Sequence, residues 1–551
     1  MAFSSRSRRT VILSVATIAA ITLAACGAGK KSGGNSSAAG TGSNSGAPSG
    51  GKPITIGTTD PLVALDPAGS YDFGSLLLQT NVYQFVMSVP AGSTQPVPDA
   101  AQSCSFTDPK TYTCTMKPGL KFSNGDPLTA NDVAYSFTRI VKINDPSGPA
   151  SLLGNMVSAT ATDASTVVFK LKNPNDQTWP FVLGTSAGPI VDHNVFPADK
   201  VLPDAQVIGS GPFKLGSFQK NQLVQLNANP NYGGANKPKS SSVTLKYYTQ
   251  SNNMKLDIQS GAIDVAWRSL SPEDVASLKN DSNVNVLTGA GGALRYIVFN
   301  LKTMPGKTDA QKLAIRQAMA YSVDRNDLAT NVFKGTYAPS YSMVPPGIGG
   351  ATDAFKQVYG DKPNPSKAKS VLQAAGVSTP VNLTIDYTTD HYGPTSADEY
   401  NEIKRQLEAT NLFKVNIQGT AYTTYTVQRT KDSYPIYQLG WFPDFVDGDN
   451  YLFNFLSPAN FVHAHYCDNT TNAPCVKDGV LPLLTQEETQ SSKSVRDDAF
   501  AKIQMKLATG TLPYLPLLSG SQLAVTRKNI SGVQETLDAT FQFRMWMISK
   551  S

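Results

Sequence analysis

The sequence predicts a mixed α/β protein with two or three lobes. About 500 of its 551 residues follow position 51, far more than one hydrophobic core of ordinary size needs. Along this stretch, strand patterns and helix patterns alternate instead of falling into separate blocks. The formal net charge of +6 includes three arginines of the N-terminal segment, and the rest is spread without basic runs, which argues against nucleic-acid binding.

The N-terminal segment, 1–25, has the features of a secretion signal. A positive start is followed by an apolar stretch of small residues at 11–25, too short to cross a membrane comfortably. It ends in Leu23-Ala24-Ala25-Cys26, which resembles the cleavage site of bacterial lipoproteins. We therefore expect Cys26 to become the lipidated N-terminus. An ordinary signal peptide that happens to contain a cysteine is the alternative.

The next stretch, 26–51, is predicted to be a flexible tether. Positions 27–51 contain nine Gly and six Ser, with no acidic and no aromatic residue, so they cannot bury a core. A coil of this length reaches roughly 25 to 30 Å, enough to hold a globular body close to a lipid surface.

The remaining four cysteines agree with export to an oxidising compartment. They fall into two close pairs, Cys104 with Cys114 and Cys467 with Cys475. Pairing within each couple is the simplest of three possible connectivities. Because His463 and His465 lie beside the second couple, a metal site is the alternative there.

Alternating apolar and polar residues, together with turn residues, predict the first strands and helix after the tether. A strand is predicted at 54–56, a helix at 75–89, and two short strands at 104–106 and 112–116 around a turn at Asp108-Pro109. A disulfide between the latter strands would cross a hairpin.

A turn at Asn124-Gly125 precedes the clearest helix. Thr129 stands where a helix N-cap is expected, and Asp132 three residues later completes an approximate capping box. The apolar face of this helix is predicted to consist of Val133, Phe137, Ile140 and Val141.

Further strands and helices follow the same signals. Strands are predicted at 166–169, 223–226, 243–248 and 383–387, and helical faces at Ile315, Ala318, Met319 and Val323 and, between Asn364-Pro365 and Gly376, at Ala368, Val371, Leu372 and Ala375. The loop Gly209-Ser210-Gly211-Pro212 has neither the lysine of a Walker motif nor the spacing of a dinucleotide site.

Four segments in order resemble the family 5 extracellular solute-binding proteins, the oligopeptide, dipeptide and nickel receptors of ATP-driven importers. They are the stretch 120–137 (LKFSNGDPLTANDVAYSF), 208–215 (IGSGPFKL) with 229–232 (NPNY), Phe299-Asn300, and 315–325 (IRQAMAYSVDR). These motifs are rich in turn residues, caps and helix faces, so they specify a scaffold rather than a binding site.

The resemblance implies a three-lobed, periplasmic-binding-protein type II-like α/β fold with a ligand cleft between the lobes. Lobe I would combine 52–75, 205–290 and 510–551, lobe II would be 76–204, and lobe III would be 291–509. Closure on a ligand requires that the closed state bind it more tightly than the open state.

The resemblance also implies a binding segment at 438–450, which contains the pair Gly440-Trp441. In the peptide-binding branch, an aspartate shortly after such a pair holds the α-ammonium group of the peptide, and Asp444 has the matching position. Gly440 and Phe442 are expected to contact the peptide through their main chain, and Trp441 through its side chain. The alternatives are a polar loop of turn-capping aspartates, or a calcium loop at Asp447 and Asp449.

Two arginines are further candidates. Arg268 beside Trp267 is a possible partner for a ligand carboxylate, and Arg295 is a second possible cleft residue.

The predicted function is that of a monomeric substrate-binding lipoprotein, which captures peptides and delivers them to the permease of an ABC importer. A receptor of the same fold for a metal chelate, haem or sugar is the alternative. Since there is no Gly-x-Ser-x-Gly or His-Glu-x-x-His motif, no enzymatic activity, cofactor or bound metal is predicted. The expected location is the outer face of the plasma membrane, or the periplasm.

Overall fold

The computed structural model describes residues 51–551 except 269, 394, 459, 469 and 470. The predicted signal, the tether up to residue 50 and the lipidation site Cys26 lie outside the described residues. Within the described part, no helix combines the length and the apolar character that crossing a membrane requires.

The described strands and helices alternate along the chain. The strands are β1 Ile54–Thr58, β2 Met87–Ser88, β3 Val97–Pro98, β4 Ala101–Asp108, β5 Thr111–Met116, β6 Met156–Ala161, β7 Thr166–Leu171, β8 Phe213–Gln219, β9 Leu223–Ala228, β10 Ser242–Tyr247, β11 Val265–Trp267, β12 Val284–Gly289, β13 Leu294–Phe299, β14 Tyr337–Pro339, β15 Val381–Thr388, β16 Phe413–Thr420, β17 Ile436–Trp441, β18 Tyr514–Gly520, β19 Gln522–Arg527, β20 Ile530–Ser531 and β21 Ser549–Lys550. The α-helices are α1 Phe73–Val82, α2 Ala130–Ile143, α3 Trp179–Val182, α4 Ser251–Ser260, α5 Pro272–Leu278, α6 Asp309–Ser322, α7 Arg325–Asp327, α8 Ala354–Tyr359, α9 Pro365–Ala374, α10 Ser396–Ala409, α11 Tyr422–Arg429, α12 Asp449–Leu456, α13 Pro474–Lys477, α14 Leu481–Thr489 and α15 Lys493–Thr509.

Three larger sheets organise these elements. A seven-stranded sheet has the order β12-β19-β11-β1-β10-β9-β8, a six-stranded sheet β14-β18-β13-β17-β15-β16, and a four-stranded antiparallel sheet β4-β5-β7-β6. In the first sheet β1 is parallel to β10 and β11, and in the second β15 is parallel to β16 and β17. Each of these sheets, together with the helices packed on it, has its own hydrophobic core.

The seven-stranded sheet is assembled from three separate stretches of chain. Strands β1 and β19, which are far apart in the sequence, lie on either side of β11 and both pair with it. The division into three lobes that the resemblance implies, with its boundaries, stays a prediction. Strand β18, Tyr514–Gly520, belongs to the six-stranded sheet, and β19 begins immediately after it in the seven-stranded sheet.

The chain passes between these two sheets at two neighbouring places, from β12 to β13 and from β18 to β19. The two connections touch: the Gly520 N–H donates to the Ala293 carbonyl at 2.8 Å. A Cβ on Gly291 would lie 1.7 Å from the Gly520 carbonyl oxygen, so only glycine allows this approach. Two short, adjacent connections are the arrangement that lets lobes rotate as a hinge.

Several local predictions are confirmed. The Thr129–Asp132 capping box begins α2, with the Asp132 carboxylate accepting the Thr129 N–H at 2.8 Å. Asn364 caps α9, and Gly376 follows its end with a φ of 64°. The first cysteine couple stands in register across β4 and β5, because Cys104 is paired directly with Cys114.

In the structure, the four cysteines are disulfide-bonded in the two predicted pairs. The sulfur atoms lie 2.07 Å apart between Cys104 and Cys114, and 1.98 Å apart between Cys467 and Cys475. Each bond closes a short local loop, as the spacing predicts.

The prediction of a helix at 75–89 is wrong in its second half. Helix α1 ends at Val82, whose carbonyl accepts the N–H of Gly211 at 2.8 Å. Beyond it, the carbonyl of Phe85 accepts the N–H of Ala100 at 2.9 Å. Partners distant in the sequence therefore take the hydrogen bonds that a continuing helix would use.

One residue of a predicted core face is also misplaced. Val133, Phe137 and Ile140 of α2 are buried, but Val141 is 47% exposed. Val141 is adjacent to Ile140 and so points about 100° away from it around the helix.

Candidate ligand-binding site

A cavity of about 520 Å³ lies where the seven-stranded and six-stranded sheets meet, beside the two chain connections. Its walls come from both sides. Arg268, Gln522 and Leu523 belong to the first sheet or the segment following β11, and Tyr337, Tyr392 and Phe442 to the second sheet and its loops. Aromatic and apolar residues make up about half of its lining, and polar or charged residues such as Arg268 and Gln522 the other half.

Arg268 is held in a fixed position at the wall of this cavity. It adopts a φ of 62°, and its Nε lies 3.0 Å from the Asp60 carboxylate. The guanidinium lies over the rings of Phe73 and Phe541, 4.7 and 5.3 Å from their centroids. Its Nη1 is buried and has no hydrogen-bond partner among the described residues.

Phe442 shares the same two aromatic neighbours from the other side. Its ring meets those of Phe73 and Phe541 edge to face, with centroids 5.7 and 6.2 Å apart. Phe442 and Arg268, both candidates from the sequence, therefore flank one aromatic pair and line one cavity.

Asp444 follows Phe442 by two residues and is half-buried. One carboxylate oxygen accepts the hydroxyl of Tyr71, and the other accepts Nδ2 of Asn450 at 3.1 Å. Burial raises the pKa of Asp444 to about 6, although the Asn450 hydrogen bond lowers it. Tyr71 precedes α1, which packs in the core of the seven-stranded sheet, so the Tyr71–Asp444 contact joins the two sides of the cleft.

Asn450, the last residue of the predicted binding segment, connects Asp444 to Trp441, a role that the sequence did not predict. Its Oδ1 accepts the indole N–H of Trp441 at 2.9 Å and the main-chain N–H of Asp444 at 3.0 Å. Trp441 itself is half-buried and stacks on Phe461, with centroids 5.6 Å apart. The sequence signal for Asn450 is its place at the end of that segment, in the first turn of α12.

Gly440 lies in β17 directly behind Tyr392. The Tyr392 hydroxyl donates to the Gly440 carbonyl at 3.3 Å, and a Cβ on Gly440 would lie 2.8 Å from the Tyr392 ring. A larger residue at 440 would therefore push Tyr392 into the cavity. Among the described residues of this segment, Phe442 lines the cavity. Gly440, Trp441 and Asp444 do not line it.

Arg295 lies behind the cleft. It is 3% exposed, and its Nη2 lies 2.5 Å from the Glu399 carboxylate. Its Nη1 donates to the Tyr392 carbonyl at 2.9 Å. Arg295 therefore supports the loop that carries Tyr392.

The calcium interpretation of Asp447 and Asp449 finds no support in the geometry. Both oxygens of Asp447 accept hydrogen bonds from Arg496, at 2.7 and 2.9 Å. Asp449 faces Glu487, and burial raises its pKa to about 8. With both oxygens of Asp447 bonded to Arg496, this pair does not present the open oxygen ligands that calcium requires.

Of the two histidines near the second cysteine pair, His465 is hydrogen-bonded to protein groups. His465 contacts Asp432 at 2.6 Å and Asp468 at 3.0 Å, and Cys467 is bonded to Cys475. In the described part of the chain, the cluster with metal-ligand spacing is elsewhere, at Asp132, Asp192 and His193. Asp132 there serves the capping box of α2.

Comparison with known proteins agrees with this architecture. Residues 95–462 match the profile of the bacterial extracellular solute-binding proteins, family 5 Middle. The probable D,D-dipeptide-binding periplasmic protein DdpA of Escherichia coli is 28% identical over 407 residues, 72% of this chain and 75% of DdpA. The oligopeptide-binding protein OppA of Bacillus subtilis is 25% identical over 454 residues, 77% of this chain and 80% of OppA.

Solved structures share the fold over nearly the whole described body. The unliganded open form of the murein tripeptide-binding protein MppA has a TM-score of 0.76 at 19% identity, covering 91% of this chain and 99% of MppA. The substrate-binding protein CtaP of Listeria monocytogenes has a TM-score of 0.76 at 21% identity, covering 91% and 99%. This likeness establishes the fold that the sequence resemblance implies. The profile match over two thirds of the sequence identifies the chain as a member of the family 5 bacterial extracellular solute-binding proteins.

Proposed function

We propose that this protein captures peptides and delivers them to the permease of an ABC importer. The observation that carries the proposal is the carboxyl of Asp444, which is half-buried between the two sides of the cleft, with no cation paired to it among the described residues. A ligand ammonium group would form a charge-assisted hydrogen bond with it, stronger than a neutral one. Several relatives, including the B. subtilis OppA, carry names that describe peptide binding.

Each predicted site residue has a role in this proposal. Asp444 binds the α-ammonium group, and the main chain at Gly440 and Phe442 hydrogen-bonds the peptide in the manner of an added strand. Trp441 contributes through the hydrogen bond from its indole to Asn450, beside Asp444. Arg268, across the Phe73–Phe541 pair, offers its guanidinium, whose Nη1 has no partner among the described residues, to a carboxylate or carbonyl oxygen of the ligand.

Closure would bring the two sides together around the peptide by rotation at the β12–β13 and β18–β19 connections. We propose the three lobes of the sequence prediction as the moving bodies, with β18 included in lobe III. A ligand that contacts both sides stabilises the closed state, which the importer can then distinguish from the empty one.

The protein would act while attached to the membrane through Cys26, as a monomer with both disulfides oxidised. Mass spectrometry of the N-terminal proteolytic fragment tests the anchor, because lipidation adds the mass of a diacylglycerol and an acyl chain to Cys26. An unmodified N-terminus formed by cleavage elsewhere would contradict it.

The cargo itself tests the function. The body, residues 52–551, is purified without refolding and denatured, and the released small molecules are identified by mass spectrometry. Peptides in the extract, together with calorimetric binding of tri-alanine, are the expected result. A non-peptide solute such as a metal chelate, with no binding of tri-alanine, would overturn the proposal.

A further inference from the structure

The side chain of Asn450 forms three hydrogen bonds in the candidate site, and it is 2% exposed. Two are accepted by Oδ1, from the indole N–H of Trp441 at 2.9 Å and the main-chain N–H of Asp444 at 3.0 Å. The third is donated by Nδ2 to the Asp444 carboxylate at 3.1 Å. One carboxamide thus contacts both the main chain and the side chain of Asp444.

These partners determine which way the carboxamide faces. The Trp441 indole and the Asp444 main chain can only donate, so both require the oxygen of Asn450. The amide nitrogen must then point at the carboxylate, which can only accept when ionised. A flipped carboxamide would place two donors against donors and an oxygen against a carboxylate.

The backbone of Asn450 is anchored independently of the ligand site. It stands in the first turn of α12, where its N–H donates to the Asp447 carbonyl at 3.2 Å. One turn later, Nδ2 of Asn454 donates to the Asn450 carbonyl at 3.1 Å. The helix therefore presents the carboxamide at a fixed place.

We propose that Asn450 is a positioning residue of the ligand site, which orients the Asp444 carboxylate toward a ligand ammonium group. This inference rests on the proposed function. By occupying Oδ2, Asn450 leaves Oδ1, now in contact with the Tyr71 hydroxyl, as the oxygen that meets the ligand. The same carboxamide also accepts the hydrogen bond from the Trp441 indole.

A pH profile separates this role from a merely structural one. Burial raises the pKa of Asp444 to about 6, and the hydrogen bond from Asn450 opposes that rise. Without the Asn450 donor the carboxyl takes up a proton at higher pH. The affinity for an ammonium ligand then declines on acidification from a higher pH than in the wild type.

The test compares Asn450→Leu, which has similar volume and no hydrogen-bonding group, with Asn454→Leu in the same helix. Asn454 is a matched control because its side chain bonds only the Asn450 carbonyl among the described residues. Calorimetry with tri-alanine is run from pH 5 to pH 7.5. At pH 7, Asn450→Leu is expected to bind about 10- to 100-fold more weakly, since a hydrogen bond to a charged group is lost.

The expected profile has a second feature. In the wild type, the pH at which the affinity halves is expected to lie near the pKa of Asp444. In Asn450→Leu, this pH is expected to move upward by about one unit or more. Asn454→Leu keeps the wild-type profile. Circular dichroism establishes that each variant is folded, and Asn450→Ser, which is smaller and exposes no apolar group, replaces Asn450→Leu if the latter does not fold.

The outcomes distinguish the inference from the proposed function. If the wild type binds no peptide, the proposed function fails. If the wild type binds and the folded position-450 variant has the same affinity and pH profile, the positioning role is wrong. An equal loss at every pH, without movement of the profile, would assign Asn450 a structural role only and would also overturn the inference.

Discussion

Replacing Asp444 with Asn should stabilise the empty protein while weakening its binding of peptides. In the empty structure, burial raises the pKa of this carboxyl from 3.8 to about 6. The unfolded chain therefore releases the proton at lower pH than the folded protein does. As pH rises between about 4 and 6 the folded state loses stability relative to the unfolded state.

The size of this loss follows from the two pKa values. Their difference, converted at about 1.36 kcal/mol for each pH unit, gives an upper bound of about 3 kcal/mol at pH 7. Asn carries no charge, so Asp444→Asn should recover part of it, and we expect the free energy of unfolding to rise by about 1 to 3 kcal/mol at pH 7. At pH 4, where the wild-type carboxyl is protonated, the two proteins should be equally stable.

The effect on binding has the opposite sign. Removing one partner of a buried charge pair costs about 2 kcal/mol or more, which corresponds to roughly 30-fold weaker binding of a peptide with a free N-terminus. In the wild type, affinity should also decline about tenfold between pH 7 and pH 5, because protonation of Asp444 competes with the ligand.

Denaturant unfolding at pH 4, 5 and 7, with calorimetry of tri-alanine binding at pH 5 and 7, measures both effects. Asp447→Asn is a control, since its carboxylate is paired with Arg496 and should be needed for stability. An Asp444→Asn variant that is less stable than the wild type at pH 7, or that binds tri-alanine normally, would refute the reasoning.

Two further changes test buried charges away from the ligand. Arg139→Met leaves the Asp66 carboxylate buried without its partner, which now lies 2.6 Å away, so denaturant unfolding should reveal a loss of about 3 to 5 kcal/mol; a loss below 1 kcal/mol would contradict this. Asp449→Asn removes a carboxyl whose pKa burial raises to about 8, so it should flatten the decline of stability that the wild type undergoes between about pH 4 and 8. Melting temperatures at pH 6 and 9 check this, and an unchanged pH dependence would exclude Asp449 as the source.

The sequence alone was sufficient where the deciding contacts are local. The capping box of α2 joins Thr129 to Asp132, three residues away. The Cys104–Cys114 pair closes one hairpin. The motifs around them, taken in order, identified the family and the segment that contains Asp444. Interactions between residues close in the chain can be read from spacing because the backbone geometry of a turn or helix already places them together.

The ligand site and the ends of some elements depend on residues far apart in the chain. Helix α1 ends at Val82 because Gly211 takes its carbonyl, and Asp444 meets Tyr71 across 373 positions. Arg268 owes its fixed position to Asp60 and to the ring of Phe541. The periodicity of the sequence does not predict such contacts, because the packing of separate sheets brings the two residues together. Only the tertiary structure could therefore decide that the Asp444 carboxyl is half-buried and that Asn450 contacts it.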